Sequence, residues 1–161
     1  MIYYLFAMPR EAEQLDVENK FVVGINATDV PKLTIDDIIV NIGYCGATPD
    51  IKVGTIVEPS IVYDVKSGDS RKIDKIFGCE DIKCYTSDSF VTEAIESTRN
   101  IYDMELYKLA KLPHRKIYSL KIVSDNLNEV DCEKYNDQEA WAKIKQILEK
   151  YKNEIIQYWT D

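Results

Sequence analysis

Several short apolar runs in this sequence end on polar side chains whose types suit acid, base or hydrogen-bonding work. Glu11 follows Ile2–Phe6, in the stretch Ala7-Met8-Pro9-Arg10-Glu11-Ala12-Glu13. Gly43 and Gly46 bracket Tyr44 and Cys45 after Ile38–Ile42; Phe90 and Val91 lie beyond Ile82–Tyr85; Met104 and Glu105 lie in Tyr102-Asp103-Met104-Glu105; Ser124 and Asp125 end the run from Ile117. Carboxylates held apart by a fold can divide general acid and general base roles. Glycines let a backbone approach a flat ligand where a side chain would intrude, and an aromatic face against a base is worth about 1–3 kcal/mol. Each residue also has an ordinary reading. Glu11 suits the first turn of a helix through the macrodipole, Asp125 suits a cap on the following loop, and Phe90, Met104 and Ser124 are commonplace core or strand-end residues.

Metal chemistry of the usual zinc kind is disfavoured. Cys45, Cys79, Cys84 and Cys132 show no CxxC spacing and His114 is the one histidine. Cys45, between glycines, is a candidate pocket lining, while the other three cysteines read as small core hydrophobes. His114, after Pro113, reads as an exposed loop residue.

The elements that would position these groups can be traced along the chain. Runs rich in Ile, Val and Tyr at Ile2–Phe6, Phe21–Ile25, Ile38–Ile42, Thr55–Tyr63, Ile82–Tyr85 and Ile117–Ser124 predict strands. Several are nearly continuous apolar stretches, as strands covered on both faces are. A carboxy-terminal helix is predicted after Asp137, a candidate cap, with Trp141, Ile144, Leu148, Tyr151 and Ile155 at steps of three and four. Shorter helices are predicted over Arg10–Leu15, Phe90–Thr98 and Met104–Leu112, the last stopped by Pro113. Gly43–Gly54, Lys66–Lys72 and Asn126–Asp137 read as loops too short to link domains. The expectation is one α/β domain over residues 1–161, a central mixed, mainly parallel sheet flanked by helices, with its site beyond the carboxyl ends of the strands.

Bulk properties narrow the partners. A length of 161 residues supports one self-sufficient core. The net charge of -8 would repel a phosphate backbone, so nucleic-acid binding is disfavoured. The apolar start Met1–Phe6 lacks the basic flank and cleavage site of a signal peptide, and no run approaches the roughly 18 apolar residues of a membrane span. A cytoplasmic protein is expected.

In order, the polar segments resemble the landmarks of the purine nucleoside phosphorylase-like proteins, and most closely the methylthioadenosine/S-adenosylhomocysteine nucleosidase branch. Ala7-Met8 with Glu11 resembles the family's first strand end. Asn41-Ile42-Gly43-Tyr44-Cys45-Gly46 followed by Asp50-Ile51-Lys52-Val53-Gly54-Thr55-Ile56-Val57 resembles its glycine turn and "LKVGDIV" stretch, the most specific match. Thr86-Ser87-Asp88-Ser89-Phe90-Val91 is similar to "SGDAFI", with Ser87 in place of the glycine. Tyr102-Asp103-Met104-Glu105 resembles "VEMEG" or "VDMEG", and Val123-Ser124-Asp125-Asn126 resembles the "ISD" ending. The chain is a shortened form: much of the early hairpin and of the helix after the family's "GVGK" turn is missing, Gly24-Ile25-Asn26 stands as its remnant, and the stretch from Gly54 to Asp81 is compressed.

The resemblance implies a nucleosidase that hydrolyses the N-glycosidic bond of a purine nucleoside. By analogy Glu11 activates the attacking water and Asp125 gives or shares a proton at purine N7. Cys45 and Gly46 line the base and ribose pocket, Phe90 stacks on the purine, Val91 contacts it through backbone groups, Met104 packs on the sugar, Glu105 accepts from ribose hydroxyls, and Ser124, beside Asp125, is a further substrate-binding residue. Tyr44, where the branch usually has Ser, is expected to add bulk beside the sugar. No cofactor is implied; phosphate would be the co-substrate of the alternative, a phosphorylase, for which Arg10 is the motive, and a catalytically weak nucleoside sensor is the third reading. The expected partner is a small-molecule nucleoside, with a homodimer possible by analogy and Lys66–Asp81 the segment for partner contacts.

Overall fold

The computed structural model describes residues 1–128 and 136–160. Its strands are β1 (Ile2–Phe6), β2 (Lys20–Val22), β3 (Ile38–Ala47), β4 (Ile56–Asp64), β5 (Ser70–Lys72), β6 (Glu80–Thr86), β7 (Asn100–Asp103) and β8 (Lys116–Asp125). The described helices are α1 (Pro9–Ala12), α2 (Leu106–Ala110) and α3 (Gln138–Thr160), with a 3₁₀ turn at Ile25–Ala27. None is long and apolar enough to cross a membrane among the described residues.

The architecture is mixed α/β, but the sheet closes on itself. β3 pairs β8, β8 pairs β4, β4 pairs β6, β6 pairs β7, and β7 returns to β3, so five strands form a barrel. β1 and β2 extend it from β3, and β5 from β4. The expected sheet with helices on both faces is corrected accordingly. β3 has room for two neighbours on one edge because it is long: β1 takes Ile38–Asn41, and β7 takes Gly46 and Ala47. Register shifts at Cys45/Gly46 and between Pro59 and Ile61 supply the bends that closure demands.

The apolar runs are continuous because both faces of these strands are buried. Ile39, Cys45, Val57, Val62, Cys84, Ile101, Ile117 and Val123 fill the barrel. Ile38, Val40, Ile42, Leu120 and Ile122 point the other way, onto Trp141, Ile144, Leu148 and Ile155 of α3. Removing such side chains from water at about 25 cal/mol per Å² is the main drive for docking α3. Asp137 does not cap that helix with its side chain: its carboxylate accepts from the Tyr44 hydroxyl and from Trp141 Nε1.

Other expectations shift at element ends. The strand expected at Phe21–Ile25 is Lys20–Val22, and Ile25 enters the 3₁₀ turn. The loops expected at Gly43–Gly54 and Lys66–Lys72 begin and end in β3 and β5. The helix expected over Phe90–Thr98 does not form. Residues 92–95 are exposed there, so no apolar stripe exists to be buried, and Ser and Thr at 89, 92, 97 and 98 favour local side-chain bonds over helix. That segment is instead pinned by Ile95 N–H on the Tyr102 hydroxyl (2.6 Å) and by Glu96, which accepts from the Tyr85 hydroxyl (2.7 Å). β7 was not expected; four residues with Asn and Asp at their ends give no apolar run. His114 is half-buried rather than exposed, its Nδ1 2.7 Å from the Leu112 carbonyl. Cys132 and most of the loop 126–137 lie outside the described residues.

Candidate active site

Glu11 leaves α1 and enters the fold almost completely buried. Its Oε1 accepts the Met8 N–H (2.8 Å), closing the short first turn, and its Oε2 accepts the Tyr44 N–H (3.0 Å) from β3. The approach is possible because residue 43 is glycine: a Cβ there would lie 2.8 Å from Glu11 Oε2 and 3.8 Å from Lys121 Nζ. Burial pushes the Glu11 carboxyl above its ordinary range, against the pull of Lys121 and of the two backbone donors.

Lys121 is the centre of this cluster. It stands mid-strand in β8, 1 % exposed, with Nζ 3.2 Å from Asp103 Oδ2. Burial works against its charge, but Asp103 first, and then Cys84, Glu105 and Glu11, hold the ammonium above its ordinary value. Asp103 is itself surrounded by donors: Thr86 Oγ1 at 2.6 Å, Leu106 N at 2.7 Å and Glu105 N at 3.3 Å. These bonds tie the end of β7 to the start of α2 and thereby set where Glu105 points. Glu105 Oε2 accepts the Asn26 N–H (3.0 Å) from the 3₁₀ turn. Its carboxyl is pushed up to about 7, first by burial and then by the Asp103 charge, with Lys121 pulling the other way.

Asp125 ends β8 and is also buried. Its Oδ1 accepts the Leu127 N–H (2.8 Å), and its Oδ2 lies 2.9 Å from the Ser124 hydroxyl. It therefore performs the capping role that its position allows, as Glu11 does in its own turn. Asn126 locks the strand end, its amide nitrogen within 3.2 Å of the carbonyls of Ala47, Thr48 and Ile51.

A cavity of about 40 Å³ opens against this strand end, lined by Gly46, Phe90, Val91, Met104, Asp125 and Leu127, with Asp103 and Tyr102 in its wall. Five of the nine residues singled out from sequence thus meet at one hollow. Glu11 and Glu105 do not line it; they meet each other around Lys121, and Asp103 joins the two groups by touching both the cavity and the Lys121 ammonium. Cys45 is buried in the barrel, where burial pushes its thiol far up, and it offers the site only its carbonyl, 3.3 Å from Ser124 Oγ. The expected placement of its side chain in the pocket is corrected. Tyr44 also turns away from the cavity, its ring edge-on to Trp141 with the Arg10 guanidinium 5.0 Å above it. Alternation along β3 explains this, since Gly43 faces Glu11 and its neighbour must face α3.

The larger hollow, about 1150 Å³ between the 13–20 loop, β1 and α3, holds none of these residues. Its walls mix apolar side chains, among them Ile2, Leu15, Leu148 and Ile155, with Glu18, Lys20, Lys145 and Lys152. Lys121, Asp103 and Thr86 escaped attention in the sequence as working residues. The available signal was Lys121 itself, a lone cation inside the apolar run Ile117–Ser124.

No family model and no curated protein matches the sequence. Solved structures do. The D161N variant of the nucleosidase MTAN from Chlamydia trachomatis, bound to MTA, superposes with a TM-score of 0.73 at 15% identity, over 96% of this chain and 98% of that one. The 5'-methylthioadenosine/S-adenosylhomocysteine nucleosidase of S. pneumoniae with a transition-state inhibitor gives 0.65 at 19%, over 91% and 96%. The S-adenosylhomocysteine nucleosidase of Streptococcus pyogenes with 5-methylthiotubericidin gives 0.66 at 16%, over 91% and 93%. The class that the fold defines is the nucleosidase-type α/β barrel. Within that class the chain has the fold of the methylthioadenosine/S-adenosylhomocysteine nucleosidases.

Proposed function

We propose that this chain, acting as a single domain, hydrolyses the N-glycosidic bond of a purine nucleoside of the methylthioadenosine type. The observation that carries the reading is the buried Glu11–Lys121–Glu105 cluster, joined through Asp103 to a cavity that ends on Asp125. Buried carboxylates around one cation cost folding energy, and groups so perturbed concentrate where chemistry is done.

In the proposed reaction the C1′–N9 bond breaks and its electron pair passes to the purine, which Asp125 relieves by giving or sharing a proton at N7. The sugar gains positive charge as the bond lengthens. Glu105, once ionised, accepts from the ribose hydroxyls, and the fixed carboxylates stabilise that charge without reorganising. A water oxygen adds to C1′ and Glu11 takes its proton, leaving free base and the ribose moiety; proton exchange with solvent restores Glu11 and Asp125. The Lys121 ammonium keeps Glu11 ionised enough to serve as the base. Water is the only co-reactant.

Phosphorolysis would require a cation for phosphate. All four arginines, Arg10, Arg71, Arg99 and Arg115, are exposed, and Arg10 lies over Tyr44 rather than at the cavity. A sensor without turnover is the second reading, favoured by the small volume of the cavity. Chromatographic release of base from methylthioadenosine, S-adenosylhomocysteine and inosine, with and without phosphate, separates the three. Phosphate-independent release abolished by Asp125→Ala and by Glu11→Gln is the expected result; unchanged turnover in Asp125→Ala defeats the proposal.

A further inference from the structure

The cavity beside Asp125 is far too small for the ligand class proposed. Its roughly 40 Å³ is near the ~30 Å³ a single water occupies in the liquid, whereas pockets for small organic ligands run from about 300 Å³. Part of the missing volume is taken by a side chain of the chain itself. A Cβ on Gly46 would lie 2.9 Å from Leu127 Cδ2 and 3.0 Å from Asp125 Oδ1, so the space that Gly46 leaves open is taken by a leucine methyl.

Leu127 is held there in an unfavourable conformation. Its φ is +68°, in the left-handed region that leucine seldom adopts. Two contacts hold it: its N–H on Asp125 Oδ1, and the preceding Asn126, whose amide is clamped on three carbonyls. Strain of this kind persists where surrounding structure over-determines it, and such residues cluster at ligand clamps and switch regions.

We propose that Leu127 is the specificity-determining plug of the base cavity, a side chain that must leave before a purine can stack on Phe90 and reach Asp125. The proposal rests on the nucleosidase reading. The plugged arrangement reduces the fraction of molecules competent to bind, and apparent affinity falls by that fraction. Departure of Leu127 removes a contact with Gly46 but also releases the left-handed backbone, which lowers the cost of opening. The Leu127 N–H would leave Asp125 Oδ1 in the same movement.

The test compares wild type with Leu127→Gly, Leu127→Ala and Leu127→Phe in methylthioadenosine hydrolysis and in calorimetric binding of adenine. Glycine adopts a positive φ freely, so Leu127→Gly keeps the backbone arrangement while deleting the plug. The expected result is a fall of about tenfold in both KM and the adenine Kd for Gly and Ala, a rise of similar size for Phe, and kcat within about twofold throughout. Wild-type turnover with KM and Kd unchanged or raised in folded Gly and Ala variants overturns the proposal and leaves the nucleosidase reading intact. Folded wild type and variants that neither cleave methylthioadenosine nor bind adenine overturn both.

Discussion

Glu105 and Lys121 are where single side chains decide most. The Glu105 carboxyl is pushed up to about 7 in the fold, while in the unfolded chain it titrates near 4.3. The folded state therefore binds the extra proton more tightly, and the contribution of this group to stability is full below the unfolded value and is lost as pH rises towards and through 7. Burial moves Glu11 in the same direction. Activity is expected to run the opposite way, because in the proposed reaction Glu105 accepts from ribose hydroxyls as the carboxylate. We predict that kcat/KM falls as pH drops below about 7 while the urea midpoint rises between pH 7.5 and 5.5; in Glu105→Gln that rise should shrink. A midpoint that falls with acidification over this window contradicts the assignment. Lys121 is the one fully buried cation among the described residues. Replacing it with Met strands Asp103, Glu105 and Glu11 without a counter-charge, and a loss of about 3–5 kcal/mol in urea unfolding is expected.

At the scale of elements, the site depends on how closely α1, β3 and β8 can approach one another. Gly43 is the point of contact. Glu11 cannot swing aside for an added methyl, since both of its oxygens are fixed by backbone N–H groups of Met8 and Tyr44. Gly43→Ala is predicted to cost about 1–3 kcal/mol and to lower kcat at least tenfold while KM changes less, as removal of a base requires; steady-state kinetics at a temperature where the variant is folded checks this. A second element contact is purely structural. Glu58, fully buried in β4, accepts from the N–H groups of Ile76, Phe77 and Cys79 at 2.9, 3.0 and 3.2 Å and pins that loop to the barrel. Glu58→Ala leaves three donors unpaired and is expected to lower stability by about 3 kcal/mol without changing kcat. Neither contact could be read from sequence, because both join residues far apart in the chain through geometry that no local pattern encodes. Glu58 interrupts an apolar run as Lys121 does, and the two differ only in what the fold places against them. Long apolar runs such as Ile38–Ile42 and Ile117–Ser124 were legible, whereas β7 and the irregular 87–99 segment were not, since their order comes from bonds made by Tyr85, Tyr102 and Thr86 on other strands.

For the molecule as a whole, barrel closure divides the interior into two compartments. One lies inside the five strands and carries the charged cluster at its end; the other lies between the outer face of β3 and β8 and the long α3. Six of the eight described strands were evident in the sequence, but closure was not, because pairing of β7 back to β3 rests on two residue pairs and a register shift rather than on composition. Trp141 is a large buried side chain of the second compartment. It is 2 % exposed, lies edge-on to Tyr44, and donates Nε1 towards the Tyr44 hydroxyl (3.0 Å) and Asp137 (2.9 Å). Its loss would open a cavity under α3 and leave polar partners unsatisfied, so Trp141→Ala is predicted to cost about 3–5 kcal/mol in urea unfolding. Tyr44 reaches Glu11 directly through its backbone N–H, which the ladder from β3 to β8 holds in place whatever the ring touches. Activity per folded molecule should therefore stay within about threefold of wild type, since an undistorted site keeps its transition-state contacts. A loss of kcat beyond tenfold at full folding would mean instead that α3 positions Glu11, and that the two compartments are one mechanical unit.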